Sequence, residues 1–250
     1  MTLAILSALP EEQSGLVHAM SGMECVQHAG RSFWRGRLQG VDVVCALSGI
    51  GKVAAATTTT ALIERFGVQA IVFTGVAGGL GEGVNVGDIV IASHYLQHDM
   101  DASPIFPRWQ LPGYGQTELA CDDSLSNELL NAARLALQDA ELNHQGKACV
   151  HHGLIASGDQ FIGSATGSNR LRDELQAAGH QVLAVEMEGA AVAQTCLDYA
   201  IPFAAMRTIS DRADDSAHVD FSEFVRTVAS RYAQQVMTGL LAQLASKSVR

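Results

Sequence analysis

Val185-Glu186-Met187-Glu188-Gly189-Ala190-Ala191 places two carboxylates inside an otherwise apolar run, and the next apolar run closes on Arg207-Thr208-Ile209-Ser210-Asp211. Taking an unpaired carboxylate out of water costs several kcal/mol, so charges in such positions have a partner or a task. The first stretch reads as a strand running into a helix, and the second as the end of a strand. In an α/β protein those are the places where ligands bind.

Outward from these two stretches, short apolar runs recur with glycine-rich exits: Leu3–Leu9, Val41–Leu47, Ala70–Thr74, Asp88–Ala92, Cys149–Ala156, Gln181–Val185 and Phe203–Ile209. Helix-like stretches lie between them, at Glu11–Met20, Val53–Phe66, Ser124–Ala140, Ser168–Ala178, Glu188–Tyr199 and Ser222–Ala245. Strands alternating with helices predict an α/β fold with parallel segments covered on both faces. Hairpins around Arg31–Leu47 and Gly87–His98 would make the sheet mixed. No linker or low-complexity segment divides the chain, so residues 1–250 read as one domain. The stretch Met100–Cys121 carries Pro104, Pro107 and Pro112, which rules out a central strand or helix there. A long apolar loop with aromatic residues is typically a lid or a subunit contact.

At 250 residues the chain can bury a core without a metal or disulfide staple. A formal net charge of -10 argues against nucleic-acid or anionic-membrane partners, which need a basic surface. The scattered cysteines (Cys25, Cys45, Cys121, Cys149, Cys196) show no metal spacing and read as reduced thiols, mostly in the core, in keeping with a soluble cytoplasmic protein. Met1–Leu9 lacks a basic leader and reads as a first buried strand rather than a signal peptide.

Glu12 lies just past the first strand. A helix starting at Pro10 would hold Glu11 and Glu12 in its first turn, where the macrodipole favours negative charge, and that alone accounts for them. Glu186 and Glu188, two apart, share a side on extended backbone and diverge on a helix. Asp211 stands where a polar ligand-reading group belongs, or as an N-cap of the following turn. Gly75-Val76-Ala77-Gly78-Gly79 matches no phosphate motif but suits close backbone approach to a flat ligand. His98-Asp99-Met100-Asp101 and His151-His152 read as structural or surface groups rather than a metal site.

Taken in order, Ala8–Glu12, Ser48–Ala54, Thr74–Leu80, Val86–Val90, Gln97–Asp101, Ser157–Ile162, Val185–Ala190, Arg207–Asp211 and Phe221–Phe224 resemble the 5'-methylthioadenosine/S-adenosylhomocysteine nucleosidases, within the purine nucleoside phosphorylase/hydrolase superfamily. The resemblance implies a mixed central sheet flanked by helices. It also implies cofactor-free hydrolysis of adenine thionucleosides and a homodimer in which the Ala102–Pro112 region reaches the neighbouring site. By it, Glu12 activates water and Asp211 reads adenine N6 and N7 and acts as general acid. Glu188 binds the ribose hydroxyls, with Met187 packed on the ribose and Arg207 near Glu188. Phe161 and Ile162 hold the adenine, Phe221 is a pocket wall, and Ile50, Val76, Ala77, Gly78, Glu186 and Ser210 complete the substrate-binding set. Val76 stands where many members carry a hydroxyl residue. A phosphorylase, or a nucleosidase acting on AMP or 6-amino-6-deoxyfutalosine, is the alternative enzyme, and a phosphorolytic one needs a basic phosphate pocket. A non-catalytic nucleoside-binding protein would not require Glu12.

Overall fold

The computed structural model describes residues 1–139, 142–143, 148–213 and 224–248. The apolar run of β1 (Thr2–Ser7) pairs in parallel with β4 (Val41–Leu47) on one side and β5 (Ala70–Gly79) on the other. Its side chains alternate between two cores: Leu3 and Ile5 on one face, Ala4 and Leu6 on the other. Both faces of this part of the sheet are therefore buried, which is why the strands read as near-continuous hydrophobic runs. Helices α1 (Pro10–His18), α3 (Asp123–Ala136) and α6 (Ser230–Ser248) contribute to the first core, and α2 (Lys52–Phe66) and α5 (Gly189–Asp198) to the second. Helix α4 (Ala165–Ala177) packs Leu171 and Leu175 in a third cluster with Val182 and Val185.

The sheet is mixed. Beyond β4 it continues as an antiparallel meander of β3 (Arg31–Leu38) and β2 (Ser21–His28). On the other flank β10 (Phe203–Asp211) runs parallel to β5 and antiparallel to β6 (Ile89–Gln97). Strands β8 (Val150–Ser157) and β9 (Val182–Glu186) follow in parallel, and β9 returns antiparallel to β5 at Gly78 and Gly79. Five strands thus close a hydrogen-bonded ring, and β7 (Glu118–Ala120) adds to β6 outside it.

Two expectations change. The Arg31–Leu47 hairpin is present, but Gly87–His98 is no hairpin: it holds the single strand β6, paired to β10, β8 and β7. Strand β5 does not stop at Thr74 but runs to Gly79, because β10 supplies a parallel partner along the glycine segment and β9 an antiparallel one at its end. Residues 100–117 contain neither helix nor strand, yet Trp109 and Leu111 are buried and Trp109 Nε1 donates to the His98 carbonyl at 3.0 Å. No helix among the described residues is long and apolar enough to cross a membrane.

Candidate active site

The C-terminal halves of β5 and β10 meet the end of the oppositely running β9 around a cavity of about 240 Å3, and the turn after β1 closes one side. Glu12, Glu188 and Asp211, drawn from three distant parts of the chain, all line it.

Glu12 is the third residue of α1, whose first residue is Pro10. Its carboxylate folds back over the helix start, Oε2 accepting from the backbone N–H of Ala8 (2.9 Å) and Leu9 (2.8 Å). Oε1 accepts from the Val76 N–H at 3.2 Å, across from β5. That crossing needs a residue without a side chain at Gly75, where a Cβ would lie 3.1 Å from Glu12 Oε1. Burial raises the Glu12 pKa above the ordinary glutamate value, and the three N–H donors and the nearby Arg207 offset part of that rise. A carboxylate desolvated but still hydrogen-bonded is suited to accept a proton near neutral pH.

Beneath the cavity lies Arg207, 1% exposed. Its Nη2 donates to Glu186 Oε2 at 2.7 Å, Nη1 to the carbonyls of Met206 (3.0 Å) and Phe73 (3.3 Å), and the guanidinium lies 4.0 Å from the Phe73 ring centroid. Glu186 also accepts from Ser157 Oγ and from the N–H groups of Glu188 (3.2 Å) and Gly189 (2.9 and 3.0 Å). Those amides open α5, so the anion sits where the helix leaves donors unpaired. Glu186 borders the cavity, but its oxygens are committed to the floor. Replacing Arg207 with Met strands this carboxylate, and the expected loss of stability is about 3–5 kcal/mol, measured by denaturant unfolding. The double variant Arg207→Met, Glu186→Gln is expected to recover part of that loss, since the two changes couple directly.

Glu188 diverges from Glu186 because the chain leaves β9 and enters α5 between them, with Glu188 at the helix N-cap. Its Oε1 accepts from the Gly51 N–H at 2.8 Å, at the start of α2. Burial, reinforced by the like charge of Glu186, pushes its pKa up to about 8, against the pull of Gly51 N–H and Arg207. Arg207 is near enough to Glu188 to act on its charge, but its direct partner is Glu186; the ion pair forms between β9 and β10, while Glu188 turns toward α2.

Asp211 ends β10. Oδ1 accepts from the Ala213 N–H at 2.7 Å and Oδ2 from Ser210 Oγ at 2.8 Å. It therefore organises the following turn, as the capping reading expects, and lines the cavity at once. Ile50, Val76, Ala77, Gly78, Phe161, Ile162, Met187 and Ser210 also line the cavity, whereas Phe221 lies outside the described residues. Four further lining residues, Ala8, Leu9, Gln160 and Val185, were not singled out as site residues. Each stands within a stretch that carried the resemblance, but an apolar or amide side chain beside a charged one gives no signal of its own. His151 pairs with Asp88 at 2.8 Å, and no group of three metal-ligating side chains exists among the described residues.

The profile of the phosphorylase superfamily matches residues 2–242. The 5'-methylthioadenosine/S-adenosylhomocysteine nucleosidase of Chromohalobacter salexigens is 36% identical over 235 residues, covering 94% of each chain. The enzyme of that name from Neisseria meningitidis, solved with methylthio-immucillin-A, superposes with a TM-score of 0.86 at 36% identity, over 97% of this chain and 99% of that one. The Colwellia psychrerythraea nucleosidase, solved with adenine, gives 0.85 at 35% identity over 98% and 96%. The chain that folds Glu12, Glu188 and Asp211 into one cavity belongs to the phosphorylase superfamily and, within it, to the 5'-methylthioadenosine/S-adenosylhomocysteine nucleosidases.

Proposed function

We propose that this protein hydrolyses the N-glycosidic bond of 5'-methylthioadenosine, S-adenosylhomocysteine or both, releasing adenine and the 5'-thioribose product, with Glu12 and Asp211 as its catalytic pair. The observation that favours water over phosphate is the lining: among the described residues around the cavity there is no Lys or Arg, and a buried carboxylate occupies the side where a nucleophile would be activated. Arg207 is taken up by Glu186 under the floor. A phosphate dianion would meet repulsion there rather than a counter-charge.

Cleavage of an N-glycoside develops positive charge on the ribose and negative charge on the departing base. Two carboxyl groups with opposite roles meet both needs, as in O-glycoside hydrolysis. Glu12 accepts the proton of the attacking water. Asp211 delivers a proton to adenine N7, with the neighbouring Ser210 hydroxyl hydrogen-bonded to its carboxyl at 2.8 Å. Glu188 meets the ribose hydroxyls, with Met187 beside it; its raised pKa keeps both forms within reach, and the ionised form is the one that accepts both hydroxyls and favours the cationic sugar. Phe161, Ile162 and the backbone at Ala77 and Gly78 provide the flat walls for the base, and Val76 contributes only its backbone. Phe221 would add a wall from outside the described residues.

The raised pKa of Glu12 sets a pH dependence. The base works only when ionised, so kcat/KM is expected to fall with decreasing pH, with its midpoint above the ordinary glutamate value of 4.5. A pH–rate profile flat down to that value would remove Glu12 from the role.

Exposed apolar residues in the cavity lining, Ile50 (61% exposed) and Phe161 (54%), and in the proline-rich loop, Ile105 (81%), support a homodimer in which the Ala102–Pro112 region meets the neighbouring site. The acidic charge and the three buried cysteines of five support a cytoplasmic location without nucleic-acid or membrane partners. The deciding experiment is adenine release from 5'-methylthioadenosine with and without phosphate. Free methylthioribose at a phosphate-independent rate is expected; a sugar 1-phosphate formed only with phosphate would establish phosphorolysis.

A further inference from the structure

The run Gln97-His98-Asp99 carries charge that the chemistry above does not use. Asp99 Oδ1 accepts from Lys52 Nζ at 2.6 Å, and Oδ2 accepts from the Asp159 N–H at 2.8 Å. Asp159 Oδ1 in turn accepts from the backbone N–H of Lys52 at 2.7 Å. The three residues close a ring that joins the start of α2, the end of β6 and the segment after β8. Lys52 Nζ also donates to Gln97 Oε1 at 3.0 Å, and Gln97 Nε2 donates to Gln194 of α5 at 2.7 Å.

The ring stands where two walls of the cavity are rooted. Just before Lys52 come Ile50, in the wall, and Gly51, whose N–H holds Glu188. Just after Asp159 come Gln160, Phe161 and Ile162, a second part of the lining. None of the three ring residues lines the cavity itself. Gly51 has a φ of 98°, and a Cβ there would lie 3.1 Å from Asp159 Oδ1, so the chain is shaped to receive that carboxylate. The Lys52 and Asp99 side chains are each 17% exposed. Burial pushes the Asp99 carboxyl up, but Lys52 and the Asp159 N–H outweigh it and hold its pKa below the ordinary aspartate value.

We propose that Lys52, Asp99 and Asp159 form a positioning ring that sets the separation between the Ile50 wall and the Phe161–Ile162 wall of the nucleoside pocket, and that this ring determines adenine affinity. The inference rests on the functional reading above and adds positioning residues to it. Asp99→Asn removes the charge that ties Lys52 to Asp159 while leaving the cavity-lining side chains in place. The ring acts through the walls on ligand binding, and the reacting carboxyls are untouched.

The test is calorimetric titration of free adenine into the wild-type protein, Asp99→Asn, Asp159→Ala and Lys52→Arg, with Tm measured on the same samples. Asp99→Asn and Asp159→Ala are each expected to raise the Kd for adenine about tenfold, the effect of one charge-assisted hydrogen bond, while Lys52→Arg stays within about threefold. With methylthioadenosine the same variants are expected to raise KM about tenfold and to hold kcat within about threefold. Asp159 is exposed, so its variant keeps the test open if Asp99→Asn does not fold. Wild-type binding matched by both variants overturns the ring's role alone. An absence of adenine binding by the wild-type protein removes the functional reading, and the ring's role with it.

Discussion

Glu12→Gln is expected to lower kcat by roughly 10²–10⁴-fold, the usual worth of a positioned general base. The variant keeps size and hydrogen-bonding shape but cannot take a proton from water. Its fold should survive for a reason visible in the contacts. A single amide oxygen can still accept from Ala8 and Leu9, and only the Val76 N–H is left facing another donor. The neutral side chain also escapes the desolvation that raises the pKa of the carboxyl. A Tm lowered by only about 2–4 °C, equivalent to about 1 kcal/mol at this chain length, is the expected accompaniment. Steady-state adenine release and thermal unfolding check both parts, and near-normal turnover would end the assignment.

Asp211→Asn is expected to produce a comparable loss of kcat, roughly 10²–10⁴-fold, with substrate binding retained. The Asn carbonyl can accept from the Ala213 N–H as Oδ1 does, and its amide can donate to Ser210 Oγ. The turn after β10 therefore stays, and only the transferable proton is lost. Binding of methylthioadenosine without cleavage, followed by calorimetry and chromatography on the same sample, is the signature. A parallel loss of binding and turnover would mean that Asp211 holds the base without protonating it.

The two acids show how far single positions could be read. Proximity to Pro10 marked Glu12 as a first-turn residue, and it is one: its carboxylate satisfies the N–H of the residue before the helix. The same position faces the cavity, so helix capping and the proposed general-base role share one geometry, and no pattern along the chain separates them. Asp211 repeats the case, serving its own turn through Ala213 while lining the pocket. The glycines of Gly75–Gly79 read as a strand exit, whereas β5 continues through them because β10 and β9 pair there. A strand's length depends on its neighbours' hydrogen bonds, and residue preferences on one segment do not report them.

By itself the chain determined the layers and the candidates. Apolar runs too continuous for one-sided strands required a sheet covered on both faces, and acids at the ends of those runs marked residues that come to line one cavity. Only the tertiary structure decided which acid meets which partner. Arg207 could have served either glutamate of the Glu186-Met187-Glu188 run, and the pairing of both β9 and β10 with the end of β5 gave it to Glu186, 21 residues away. Glu12 is fixed by an amide 64 residues on, and Glu188 by one 137 residues back. Hydrophobic periodicity records which face of an element is buried. The pairing of charges across strand ends depends on the angle and distance at which separate elements meet, and those are set by the packing of the whole sheet.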